Sequence, residues 1–162
     1  MKLNKAVFLD RDGVINFDRY DYTWRVEDFE VLDGVLDAMK AMQNKGYMLI
    51  IITNQGGISK NIYGHEDVKA LHNHFESILL KDGITLTEIY YCPHHNEIES
   101  CICRKPESLL LEKAMARFNI DPALSYFVGD RDRDAEAGIR AGVIPIKIET
   151  NGSLLDVLDK IK

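Results

Sequence analysis

The sequence has little cysteine, no long apolar run and no excess of positive charge. Three cysteines occur among 162 residues, all between Cys92 and Cys103. An odd number confined to one stretch excludes a disulfide framework and points to a reducing, cytoplasmic setting. No segment approaches the roughly 20 apolar residues of a membrane-spanning helix. The opening MKLNKAVFLD has too short an apolar run for a signal peptide. The formal net charge is −6, whereas attraction to nucleic acid or anionic lipid needs the opposite sign. Neither partner is expected. A phosphorylated ligand is also repelled at long range, so a phosphate site here must carry its own cation. Internal repeats, low-complexity tracts and linkers are missing too. Residues 1–162 therefore read as one domain, long enough to bury a core without disulfides.

What is present alternates. Ala6 to Leu9, Met48 to Ile52, Glu88 to Tyr91, Tyr126 to Val128 and Val143 to Ile148 read as short strands. Between them, Asp33 to Lys45, Glu66 to Lys81, Glu107 to Phe118 and Asp132 to Ala141 show helical spacing. Asp121-Pro122 reads as a helix start, and Ser153 to Ile161 as a final helix. Strand and helix in alternation predict parallel strands joined by right-handed crossovers. The fold class is α/β, a doubly wound parallel sheet. Two long irregular stretches, Asn16 to Leu32 and Cys92 to Pro106, require a function, and no room remains for a large cap domain.

Ligands of such sheets sit beyond the carboxyl ends of the strands. Three strands there run into Asp10-Arg11-Asp12-Gly13, Thr53-Asn54-Gln55-Gly56-Gly57 and Gly129-Asp130-Arg131-Asp132. One aspartate after a strand commonly caps the next helix. Asp10, Asp12 and Asp130 together crowd carboxylates that only a cation makes tolerable, and oxygen donors of this kind suit Mg²⁺.

The segments FLDRDGVIN, IITNQGG, CRKP and FVGDRDRD, in this order, resemble the four motifs of the haloacid dehalogenase superfamily of phosphatases. The resemblance implies an aspartyl-phosphate mechanism. Asp10 is then the nucleophile, and Asp12 the general acid and later the base. Thr53 and Lys105 stabilise the transferring phosphoryl group. Mg²⁺ is held by Asp10, the backbone carbonyl of Asp12, and Asp130. Asp134 either supports the metal from behind or lies on the surface. Val14 replaces a frequent threonine, a change expected to be harmless.

The cysteine stretch has its own chemistry. Residues two apart in an extended chain point the same way. Cys92 can pair with His94, and Cys101 with Cys103, while His95 points elsewhere. Three thiolates and one imidazole suit a closed, structural Zn²⁺ site that fixes the following Arg104 and Lys105. This narrows the resemblance to zinc-loop members, which include heptose-bisphosphate and histidinol-phosphate phosphatases. TNQGGI and YYCPHH are similar to the heptose branch. The six residues between His94 and Cys101 are closer to the histidinol-phosphate branch.

The heptose reading implies a sugar bisphosphate losing its 7-phosphate. Arg104 and Arg131 are the candidate cations for the spectator phosphate. Asp18 and Tyr22 are candidate hydroxyl binders in the loop after the first strand, where Trp24 could equally pack on the core. Asn54 and Gln55 complete the expected substrate contacts. His65, His72 and His74 are expected on the solvated surface. A monomer is expected, since no apolar stripe is left to bury. Two other readings are a phosphoacceptor signalling receiver and a zinc-stabilised binding protein. The first lacks a use for the zinc loop, the second for the carboxylates.

Overall fold

The computed structural model describes residues 2–162. Its elements in chain order are β1 (Ala6–Leu9), α1 (Val35–Asn44), β2 (Met48–Asn54), α2 (His65–Lys81), β3 (Glu88–Cys92), α3 (Leu109–Phe118), β4 (Tyr126–Gly129), α4 (Asp132–Ala141) and β5 (Ile144–Lys147). All four strand pairings are parallel, in the order β3-β2-β1-β4-β5. The sheet is doubly wound as predicted, with no large cap among the described residues.

The two sheet faces follow from side-chain alternation. Val7, Leu9, Leu49, Ile51 and Val128 pack on one face with α1 and α2. Ala6, Phe8, Ile50, Ile52 and Phe127 pack on the other with α3 and α4. The central strands are therefore apolar along their whole length, as a sheet covered on both sides requires. On α1, Val35, Ala38, Met39 and Met42 are buried at helical spacing, and Gly46 ends the segment at φ +86. Gly142 closes α4 in the same left-handed conformation.

Two predicted helices are shorter than expected. Asp121-Pro122 opens a single 3₁₀ turn, Pro122–Leu124, with Asp121 accepting from the Ala123 N–H. Ser153 to Ile161 holds one such turn, Leu154–Val157. A segment this short is a marginal helix alone. Burial of Leu154, Val157 and Ile161 against the core sets its path instead.

Strand order reverses between β1 and β4. The chain winds outward from β1 through β2 to β3, then returns to build β4 and β5 on the opposite side. Asp10 and Asp130 follow these two central strands directly, and the Asp10 N–H still donates to the Val128 carbonyl at 3.0 Å. That hydrogen bond extends the ladder to the carboxylate itself.

Candidate active site

Asp10, Asp130 and Asp134 converge, with one carboxylate oxygen of each lying within 4.8 Å of the others. All three residues are buried. Lys105 answers them. Its Nζ lies 2.7 Å from Asp10 Oδ1 and 2.6 Å from Asp134 Oδ1, and donates to the Ile52 carbonyl at 2.9 Å. Burial opposes the ammonium charge, but Asp10 and Asp134 outweigh it and raise the Lys105 pKa. Burial and Asp134 push Asp10 up to about 8, against the pull of Lys105 and with a further push from Asp130.

Lys105, with the Arg131 guanidinium 3.4 Å from Asp130 Oδ2, still leaves three carboxylates with an excess of negative charge. Asp130 Oδ1 is buried and has no hydrogen-bond partner among the described residues, while its Oδ2 accepts from Thr150 Oγ1 at 2.7 Å. An all-oxygen set with an excess of negative charge and an orphaned buried oxygen fits a hard divalent cation. Gly13 permits this closeness. A Cβ there would lie 2.5 Å from Asp130 Oδ2, and its φ is +87. Gly129 is needed for the same reason, since a Cβ would meet that of Asp134 at 2.2 Å.

Asp134 corrects one alternative. It is 1% exposed, so a surface role is excluded. Its Oδ2 also accepts from the Arg131 N–H at 3.0 Å in the first turn of α4.

Asp12 lies beside this cluster, with its side chain partly open to a cavity of about 410 Å³. Its Oδ1 accepts from Arg11 and from Asn16 Nδ2, and its Oδ2 from Gln55 Nε2 at 3.1 Å. Burial works against the charge, yet Arg11 and these donors hold the carboxyl below its usual range. Thr53 is buried at the end of β2 and accepts from Gln55 Nε2 at 3.0 Å. Gln55 Oε1 in turn accepts from Tyr63 OH at 2.6 Å.

The cavity wall includes Asp18, Tyr22, Asn54, Gln55, Arg104 and Arg131, the six residues expected to contact substrate. Several of them also have internal partners. Arg131 Nη2 donates to Asp18 Oδ2 at 3.1 Å, and its Nε lies 3.4 Å from Asp130 Oδ2. Arg104 Nη1 donates to the His94 carbonyl at 3.0 Å. The Asn54 side chain bonds the Lys105 backbone at both its amide ends. In this structure that side chain positions Lys105. Tyr22 packs edge-on against Tyr63, and Trp24 stacks on the same ring at 6.0 Å.

Other residues at the site were not anticipated. Arg133 and His95 also line the cavity. His72 corrects the surface expectation. It is 7% exposed and meets Arg11 Nη1 at 3.3 Å through Nε2. A signal existed, because Val68, His72, Phe75 and Leu79 share one helical stripe and all are buried. His65, by contrast, is exposed.

Cys92, His94, Cys101 and Cys103 also converge within 4.8 Å. Cys92 Sγ lies 3.7 Å from Cys101 Sγ and 3.2 Å from Cys103 Sγ, and His94 Nδ1 lies 3.3 Å from Cys103 Sγ. A tetrahedron with metal–sulfur bonds of ~2.3 Å has edges of about 3.8 Å, so the set is compatible with a zinc site. Burial pushes the Cys92 thiol up, and a cation among these sulfurs reverses that preference.

Known proteins resemble this chain in sequence and in fold. The family described as polynucleotide kinase 3 phosphatase matches residues 6–141. A D-glycero-beta-D-manno-heptose-1,7-bisphosphate 7-phosphatase of Haemophilus influenzae is 42% identical over 146 residues, 87% of this chain and 79% of that protein. A D-glycero-alpha-D-manno-heptose-1,7-bisphosphate 7-phosphatase of Campylobacter jejuni is 40% identical over 139 residues, 86% of this chain and 78% of that protein. The crystal structure of D,D-heptose 1,7-bisphosphate phosphatase from B. bronchiseptica, complexed with magnesium and phosphate, superposes with a TM-score of 0.85. It is 28% identical and covers 98% of this chain and 87% of that one. No helix among the described residues is long and apolar enough to cross a membrane. The chain belongs to the polynucleotide kinase 3 phosphatase family, within the haloacid dehalogenase superfamily.

Proposed function

We propose that the protein removes the 7-phosphate of D-glycero-D-manno-heptose 1,7-bisphosphate through an aspartyl-phosphate intermediate, as a cytoplasmic, single-domain monomer. The observation that carries this reading is the cavity in front of Asp12, which has three arginines, Arg104, Arg131 and Arg133, in its wall. Burial and neighbouring Arg133 both lower the Arg104 pKa. An anion between the two guanidinium groups relieves that repulsion, as a spectator phosphate requires.

Asp10 attacks phosphorus while Asp12 gives a proton to the departing sugar oxygen. Asp12 then takes a proton from the water that releases inorganic phosphate. Lys105 neutralises Asp10 and, with the Thr53 hydroxyl, offsets charge on the transferring group. Asp10, Asp130 and the Asp12 carbonyl, with Asp134 behind, would hold Mg²⁺, which would supply positive charge for the transferring phosphoryl group. Zn²⁺ held by Cys92, His94, Cys101 and Cys103 is structural in this reading and fixes the strand of chain leading to Lys105.

A phosphate-release panel tests the proposal. It includes both heptose 1,7-bisphosphate anomers, histidinol phosphate and a 3′-phosphorylated oligonucleotide. A heptose bisphosphate is expected to give the highest kcat/KM. The relatives differ in anomer, and the panel reports which is preferred. Histidinol phosphate is the second reading, favoured by the short zinc loop. Faster turnover of it, or of the oligonucleotide, would overturn the substrate assignment.

A further inference from the structure

Building on the phosphatase reading, we propose that Arg11 is a positioning residue that pins Oδ1 of Asp12 and so makes Oδ2 the oxygen that passes the proton. Arg11 stands between the two aspartates of the first motif, yet it is 1% exposed and does not line the cavity. Its guanidinium reaches three separate parts of the chain. Nε and Nη2 donate to Asp12 Oδ1 at 3.2 and 2.8 Å. Nη2 also donates to the Thr23 carbonyl at 2.6 Å, and Nη1 meets His72 Nε2 at 3.3 Å.

Arginine has no acceptor, so His72 Nε2 must accept and the imidazole proton resides on Nδ1. Burial and Arg11 together depress His72 to about 3, which keeps it a neutral acceptor at neutral pH. Thr23 belongs to the loop after β1, and His72 to α2. The guanidinium is thus held from two sides before it touches Asp12. A buried arginine is costly unless paired and hydrogen-bonded, and here its paired carboxylate is that of the acid–base residue.

The two oxygens of Asp12 are consequently unlike. Oδ1 faces Arg11 Nε, Arg11 Nη2 and, at 3.0 Å, Asn16 Nδ2. Among the described residues, Oδ2 accepts only from Gln55 Nε2. An oxygen surrounded by three N–H donors has no room for a proton of its own, whereas Oδ2 does. Asp12 is held ionised in the free protein, so the proton on Oδ2 comes from the substrate's phosphate monoanion. In the first half-reaction it moves to the leaving alkoxide as the alkoxide–phosphorus bond breaks and the Asp10–phosphorus bond forms. In the second, Oδ2 takes a proton from the attacking water as the Asp10–phosphorus bond breaks and phosphate leaves.

The test compares two leaving groups by kcat/KM. An alkyl phosphate ester needs a proton on departure, and p-nitrophenyl phosphate does not. Arg11→Lys should lose about 100-fold on the sugar phosphate, in the range of general acid catalysis, and less than about threefold on the aryl ester. The slowed second half-reaction should then show as a burst of nearly one equivalent of p-nitrophenol. His72→Leu removes only the supporting acceptor and should give the same pattern at about tenfold, with a smaller loss for His72→Gln, which retains an acceptor. Should Arg11→Lys fail to fold, the His72 pair carries the comparison. Equal losses on both esters without a burst would overturn the proposal in favour of a purely structural arginine. Any alkyl phosphate that the protein hydrolyses serves, so failure of the heptose assignment leaves this test intact. Wild-type protein inert toward every ester removes both.

Discussion

The oxygen cluster and the sulfur cluster differ in what holds them. Asp10 and Asp130 stand at the ends of adjacent central strands, and Asp134 in the first turn of α4. The sheet ladder places the first two whether or not a cation is present. Of the sulfur set, only Cys92 lies on a strand, while His94, Cys101 and Cys103 sit on a stretch without regular structure. The fold builds the oxygen site, whereas a metal bound at the sulfur site would build the loop. Lys105 joins them, because it follows the loop in sequence and reaches the carboxylates in space.

The sharpest way to separate the two is Asp10→Asn. It removes the nucleophile while preserving shape, and turnover should fall at least about 1,000-fold, as losses of nucleophiles do. Zinc content should be unchanged. With one repulsive carboxylate gone, melting in chelator should occur no lower than for wild type, by calorimetry. Residual turnover above a tenth of wild type would contradict the nucleophile assignment.

Lys105→Met attacks the junction. It leaves Asp10 and Asp134 without their cation, so every substrate should lose about 100-fold, the scale of a lost electrostatic contact in the transition state. Thermal stability should also depend more strongly on Mg²⁺ than in wild type. A loss restricted to the bisphosphate would mean that Lys105 serves recognition and not transfer.

Cys101→Ser with Cys103→Ser tests the other side. Elemental analysis should find zinc lost, and Tm should fall by about 5–10 °C as the folded state loses a ligand. Activity should drop about tenfold through a displaced Lys105, less than when Lys105 itself is removed. Full zinc occupancy in this variant would rule out the assigned ligands.

The two regions were also legible to different degrees. Apolar runs revealed every strand, and polar strand ends revealed Asp10 and Asp130, because parallel topology brings them together. The expected third carboxylate, Asp12, turns aside to Arg11, Asn16 and Gln55, and Asp134 of α4 takes its place in the cluster. The sulfur site was readable from spacing without any fold. His72 was placed on the surface by residue type, and Arg11 was given no role. Their burial follows from a mutual bond that sequence does not display, although the α2 stripe did point His72 inward. Thr150 was out of reach altogether. It arrives at Asp130 from beyond β5 through loop geometry that no periodicity encodes.

The smallest expected effect concerns that hidden histidine and adds a pH dependence to the oxygen side alone. His72 has a folded-state pKa of about 3, against an ordinary value of about 6.5 in the unfolded chain. Between these values the unfolded state binds more protons, so folding stability is complete above pH 6.5 and declines as pH falls toward 3. Moving from pH 7.5 to pH 5.5 should cost about 1.4 kcal/mol through His72, given a tenfold excess of protonated histidine in the unfolded chain at the lower pH. Other groups titrate over the same interval, so the informative quantity is a difference. Urea unfolding of wild type and His72→Gln at both pH values isolates it, and the variant should lose about 1.4 kcal/mol less on acidification. The double cysteine variant should retain the wild-type difference, because its lesion lies on the opposite side of Lys105. An equal acid response in wild type and His72→Gln would mean that His72 is protonated in the fold, and a protonated ring cannot accept from Arg11.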